Sequence, residues 1–326
     1  MTLAQDFEAA QERFRGLDKN LFLGSLTWFS TSACQVPHAD VKASLAKFNL
    51  EHCPKPPADS DKFCDAWEQG ERRKFRPNED GVVERLLVRH VFRAAPTKEI
   101  PGRVVRMVVS EFCNPEKLTL RYPTKGGGEA IFHYDTAEVD ITAYDEATPN
   151  AINLLNELAQ EYKLTRGCLN ANALRSVITN TLNSCSSVCL RGQSGGLFFV
   201  PMAHLDQIDA LSGWAKTMRE DFNVDLKVTS ALLLDEPAQR ENLLESVRDE
   251  IASTVQSLTE EAQGLQGHDG ITMRRFSTLN QKYINLQRKA QEYQSLLNHE
   301  ELTTSTEMDM LRLHVQGLFT KVGGDV

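Results

Sequence analysis

The residues of this chain best suited to chemistry are cations set at strand spacing. Arg85, Arg89 and Arg93 recur every four residues in ERLLVRHVFRA, with Leu86, Val88, His90 and Phe92 between them. Side chains alternate faces along a strand, so the three arginines are expected on one face and the apolar set on the other. Lys117 and Arg121 repeat the pattern against Leu118, Leu120 and Tyr122. Residues 71–125 hold thirteen Lys/Arg against seven Asp/Glu, a local net of +6 in a chain whose formal net charge is -9. A basic sheet face of this kind can track a phosphate backbone, because the guanidinium fork matches phosphate oxygens. The competing explanation is the solvated outer face of a half-buried sheet, or a docking surface for the acidic remainder of the same chain.

Other chemistry-bearing groups are less organised. Cys34, His38, His52, Cys53 and Cys64 match no usual zinc spacing, and Cys185-x3-Cys189 lacks a second pair, which favours buried thiols. His133, Asp135, Glu138 and Asp140 could supply carboxylates for a divalent cation, as a nuclease requires, although the neighbouring-strand lysine such a site needs is missing. GxSxG, a phosphate loop ending in GK[ST], HExxH and GxGxxG do not occur. The expectation is a non-catalytic protein with no cofactor and no metal ion.

The elements that must position these groups divide the chain at 1–145, 146–234 and 235–326. Leu3, Phe7, Ala10, Phe14 and Leu17 lie on one stripe of an amphipathic helix. LFLGSLTWFSTSACQ reads as strand, Pro37 opens a helix carrying Val41, Leu45 and Phe48, and CPKPPADSD reads as loop. An antiparallel β-meander follows, with strands expected at 84–94, 103–112, 117–122 and 130–142. Helices from Asn150 to Lys163 and from Asn170 to Ser184 precede a Gly-turned hairpin in VCLRGQSGGLFFVP. A helix near 203–219 and a strand at 224–234 complete this part. Helix, helix and hairpin is also the order of a winged helix. Residues 150–230 carry seven bases and seven acids, however, where a DNA reader is normally basic.

The last ninety residues are the most explicit. Leu244, Val247, Ile251, Val255, Leu258, Ala262 and Leu265 keep three-four spacing, as do Phe276, Leu279, Tyr283, Leu286, Ala290, Tyr293 and Leu297. A shorter stripe uses Met308, Leu311, Val315 and Leu318. Segment 238–266 has two bases against six acids, and 272–299 has five against one. Nets of -4 and +4 favour an antiparallel coiled-coil helical hairpin over self-pairing of either helix. The fold class expected for the whole chain is α+β.

At 326 residues, 41% hydrophobic and 25% charged, the chain has room for a large core and shows no disorder bias. No apolar run is long enough to span a membrane, and the N-terminus carries acids where a signal peptide would be apolar. A cytoplasmic protein with reduced cysteines, making no membrane contact, is expected. The stretch LNANALRSVITNTLNSCSSVCLRGQSGGLFFVP, echoed by LFLGSLTWFSTSACQVPHADVKASL, resembles a segment of uncharacterised phage and bacterial mobile-element proteins. That resemblance implies a phage or mobile-element setting and no residue roles. The function expected is an accessory protein that binds nucleic acid through Arg85, Arg89, Arg93, Lys117 and Arg121, with the helical hairpin as a docking or assembly arm for a protein partner. A protein-protein adaptor or structural subunit without nucleic acid is the alternative, and a metal-dependent nuclease the third class.

Overall fold

The computed structural model describes residues 21–68, 72–79, 81–94, 102–114, 119–121, 126–190, 196–266, 272–299 and 306–323. In chain order the first elements are β1 (Phe22–Thr31), β2 (Gln35–Pro37), α1 (His38–Ala46), α2 (Asp59–Glu68) and β3 (Arg72–Lys74). They are followed by β4 (Val83–Ala94), β5 (Arg103–Asn114), β6 (Thr119–Arg121), β7 (Gly128–His133) and β8 (Val139–Ala143). Then come α3 (Pro149–Thr165), β9 (Cys168–Asn170), α4 (Ala171–Ser184), β10 (Val188–Cys189) and β11 (Leu197–Pro201). The last are α5 (Leu205–Phe222), β12 (Leu226–Leu234), α6 (Pro237–Gln266), α7 (Met273–Leu297) and α8 (Thr306–Gly323). The fold is mixed α+β, as expected. The helical stripe expected from Leu3 to Leu17 lies outside the described residues.

The chain forms two compact units interleaved in sequence. One holds Met1–Ser32, Lys42–Cys53 and Leu174–Val326, and the other holds Ala33–Val41 and Pro54–Ala173. The second unit carries the meander. Its main sheet has the order β3-β4-β5-β7-β8, with β6 also on β5, and every pairing is antiparallel. Alternation sends Leu86, Val88, Val104, Val108, Ala130 and Phe132 to one face, where they join Phe63 and Trp67 of α2 and Leu154, Leu155, Leu158 and Tyr162 of α3 in a single core. The Phe63 ring lies 4.4 Å from Trp67 and 5.6 Å from Phe132, so aromatic packing welds α2 to the sheet.

Helix α3 starts where Thr148, its N-cap, accepts from the Ala151 N–H at 3.1 Å, with Pro149 in the first turn, where its missing N–H costs nothing. Glu84 of β4 accepts from the Thr148 hydroxyl at 2.5 Å and from the Asn150 amide at 2.6 Å, fixing the helix start against the sheet. The strand expected over 130–142 is two strands. A turn at Tyr134–Thr136 and a left-handed Ala137, at φ 53°, separate β7 from β8.

In the first unit β1 lies between β11 and β12 in a four-stranded antiparallel sheet, order β10-β11-β1-β12. The expected hairpin is therefore the β10–β11 edge of a larger sheet. Glycine is required at position 24, because a Cβ there would meet the Val200 carbonyl oxygen and the Phe199 ring. Helix α5 buries Ile208, Leu211, Trp214, Ala215 and Met218, and the Trp214 indole donates to the Ser44 hydroxyl at 3.0 Å.

All three C-terminal stripes enter one core with Leu23, Val188 and Phe199 of the sheet. Lys282 donates to Glu261 at 2.8 Å and Lys289 to Glu250, while Arg240 reaches the Leu296 carbonyl at 3.0 Å. These pairs run in opposite sequence directions, so α6 and α7 are antiparallel and the acidic and basic helices neutralise each other. Phe276 meets Phe319 at 5.8 Å, which places the start of α7 beside the end of α8. Tyr293 is fully buried, and its hydroxyl donates to the Ser186 carbonyl at 2.9 Å, tying α7 to the turn before β10.

Candidate nucleic-acid interface

Directly opposed residues of an antiparallel ladder point to the same face. Lys74 of β3 is paired with Arg85 of β4, which is paired in turn with Glu111 of β5. Arg89 is paired with Met107 and Leu87 with Val109. None of these rows belongs to the helix-covered core, whose members on β4 and β5 are Leu86, Val88, Val104 and Val108. Lys74, Arg85 and Arg89 therefore share the sheet face turned away from α2 and α3. Lys74 and Arg89 are exposed and form no ion pair among the described residues. Arg85 approaches Glu111 at 3.7 Å, with the arginine 43% and the glutamate 10% exposed.

The pairing register changes before Arg93. A bulge between His90 and Phe92 inserts Val91 as an extra residue, and beyond it Arg93 pairs with Val104, a member of the core-facing set. The alternation read from sequence thus holds for Arg85 and Arg89 and shifts by one at Arg93, whose side chain lies outside the described residues. Lys117 lies outside them entirely. Arg121 is exposed on β6 in the row of Phe112, and Phe112 also pairs with Glu84, which faces the start of α3. Arg121 and Arg85 stand in rows of opposite facing.

Several cations of the basic block are used internally. Arg73 pairs with Glu157 of α3 at 2.5 Å. Arg106 is buried, donating to the Cys64 sulfur at 3.0 Å and to the Val105 carbonyl at 3.4 Å, while its Nε finds no acceptor. At the far edge of the outer face the charge reverses. Glu129, in the row of Met107, accepts from the Tyr144 hydroxyl at 3.4 Å, and Asp140 holds His133 at 2.9 Å. Burial, and then the Glu129 carboxylate, push the Tyr144 phenol above its ordinary range. The outer face is thus polarised, basic along β3–β4 and acidic along β7–β8.

A family model described as a family of unknown function, DUF6744, matches residues 22–324. The chain belongs to that family. No curated protein and no solved structure matches it.

Groups considered for metal or thiol chemistry do not converge in this family member. Among the described residues no cluster of three or more His, Cys, Asp or Glu could hold a metal ion. Asp135 lies in the β7–β8 turn, and Asp140 is engaged by His133. Cys185 donates to the Gln207 amide oxygen at 2.6 Å, and burial pushes its thiol up to about 11. Sequence reasoning left Lys74 and Arg103 out of the outer face, where Arg103 is exposed on β5 in the row of His133. Lys74 sits in RRKF ahead of the meander, and its three-residue strand is too short for alternation to reveal. No helix of the described residues is long and apolar enough to cross a membrane.

Proposed function

We propose that this chain is a non-catalytic accessory protein, of phage or mobile-element type, that contacts a nucleic-acid backbone through the outer face of β3 and β4. Lys74, Arg85 and Arg89 are the contacting cations. One observation carries the reading: Lys74 stands directly opposite Arg85 with Arg89 on the same exposed face. Like charges opposed across a ladder are destabilising, and a single carboxylate at 3.7 Å offsets them only in part. An external polyanion would supply the missing negative charge. Arg85 and Arg89 are four residues apart, about 13 Å along a strand, a span that alternate phosphates of one nucleic-acid strand can match.

Phosphate contacts of this kind position a protein without reading sequence, so binding should be salt-sensitive and tolerant of base composition. The measurement is fluorescence anisotropy of single- and double-stranded oligonucleotides against the full chain at low salt. Binding lost in Arg89→Glu supports the reading. Absence of binding to either oligonucleotide would leave the adaptor or structural-subunit reading, which draws on the internal use of Arg73 and Arg106.

A further inference from the structure

Arg106 leaves β5 toward the helix-covered core, in the row of Ala130, and is only 6% exposed. A guanidinium keeps its charge in any protein site, and a buried charge without a counter-ion is strongly destabilising. No carboxylate among the described residues pairs with it. Glu111, buried on the same strand, lies in the row of Arg85 on the outer face, and Glu84 is taken by Thr148 and Asn150. Asp61, Asp65 and Glu68 of α2 are exposed. Besides the Val105 carbonyl, what Arg106 meets is sulfur: Nη2 donates to Cys64 Sγ at 3.0 Å, while Nε has no acceptor. Nε and Nη2 form one edge of the guanidinium, the edge that Arg240 presents to both oxygens of Asp235. On Arg106 half of that edge meets sulfur and half meets nothing.

We infer that Cys64 is a thiolate, the buried counter-ion of Arg106, and that its sulfur is a modification site for a small hydroperoxide. A neutral thiol is a weak acceptor, whereas a cation in contact with the sulfur favours the ionised form, which is also the nucleophile. The thiolate attacks one peroxide oxygen, an S–O bond forms and the O–O bond breaks. The hydroxide that leaves takes the proton of the attacked oxygen, so the sulfur is oxidised to a sulfenate and the peroxide is reduced to water. The oxygen gained makes a two-atom anion that can span the Nε–Nη2 edge and give Nε its acceptor. The other titratable groups of this core do not compete for the role. Tyr162 of α3 is pushed up to about 12 by burial and then by Asp59, and Lys62, also buried on α2, donates to Gln35 at 2.9 Å. Tyr134 packs against the same core from the β7–β8 turn, and His90, in the row of Arg106, is exposed. Arg106 points away from the face that carries Lys74, Arg85 and Arg89, so the inference is independent of nucleic-acid contact.

The test exposes the reduced full chain to hydrogen peroxide between about pH 6 and 9, quenches it in denaturant with dimedone, and reads sulfenate at each cysteine by mass spectrometry. Cys185 is the internal reference, because it is also buried and that burial pushes its thiol up to about 11. Cys64 should be oxidised at least tenfold faster than Cys185 at pH 7. Its rate should be flat from about pH 7 to 9, where an ordinary thiol, ionising near 8.5, is still rising. Arg106→Gln should slow the reaction at least tenfold at pH 7 and restore the rise, while Arg106→Lys, which keeps the cation, should stay closer to the wild type. A wild-type Cys64 that reacts no faster than Cys185, or whose rate climbs through pH 8.5, overturns the inference without any variant. So does a folded Arg106→Gln chain, checked by circular dichroism, that keeps the wild-type rate and profile.

Discussion

Lys74 stands directly opposite Arg85 in the β3–β4 ladder, two cations on one exposed row with Glu111 beyond them. This arrangement costs the isolated fold something, and the cost is measurable. Lys74→Glu should raise stability by a few tenths to about 1 kcal/mol, because it replaces a repulsive pair with an attractive one. The same change should weaken binding to nucleic acid. Urea denaturation and anisotropy on one preparation test both directions, and a gain in stability without loss of binding would remove Lys74 from the interface.

Tyr293 donates to the Ser186 carbonyl from a fully buried site. Tyr293→Phe should destabilise the first unit by about 1 kcal/mol, the ordinary worth of one such bond. Burial, then Glu250 and Glu292, hold this phenol well above its ordinary value in the folded chain. A raised folded value means that the stabilisation is complete below the unfolded pKa near 10 and declines as pH rises beyond it. The wild type should lose stability above about pH 10 more steeply than Tyr293→Phe.

Arg240 forks onto Asp235, with Nε to Oδ1 at 2.5 Å and Nη2 to Oδ2 at 2.7 Å. These hydrogen bonds, led by the fork itself, hold the Asp235 carboxyl below the usual range. A depressed folded value contributes stability that is present above the unfolded pKa and is lost as pH falls through the folded one. Asp235→Asn should therefore flatten the acid limb of the stability curve below about pH 4.

How much of this was legible depended on the length of the pattern. The stripes from Leu244 to Leu318 persist over several turns, and every residue of the three is buried except the two ends of the first, Leu244 and Leu265, which are partly buried, with Leu243 buried beside Leu244. Helix α2 was invisible because it is short and follows a Pro-rich loop, although Phe63, Cys64, Ala66 and Trp67 already trace one helical face. The placement of β1 between β11 and β12 joins residues such as Leu26, Phe199 and Ala231, and nothing local announces a pairing across so long a separation. The backbone register changes before Arg93 for a local reason: one inserted residue at Val91 shifts the pairing, and a bulge carries no strong sequence signal when it contains neither glycine nor proline.

The most direct measurement of the proposed function is the salt dependence of oligonucleotide binding. With Lys74, Arg85 and Arg89 each neutralising one phosphate at about 0.7 ions released per contact on a single strand, log K against log salt should have a slope near -2. Arg89→Glu should weaken binding at least tenfold at low salt and make the slope shallower by about 0.7. Binding that is absent at low salt, or that is unchanged in affinity and slope by Arg89→Glu, would contradict a nucleic-acid interface on this face.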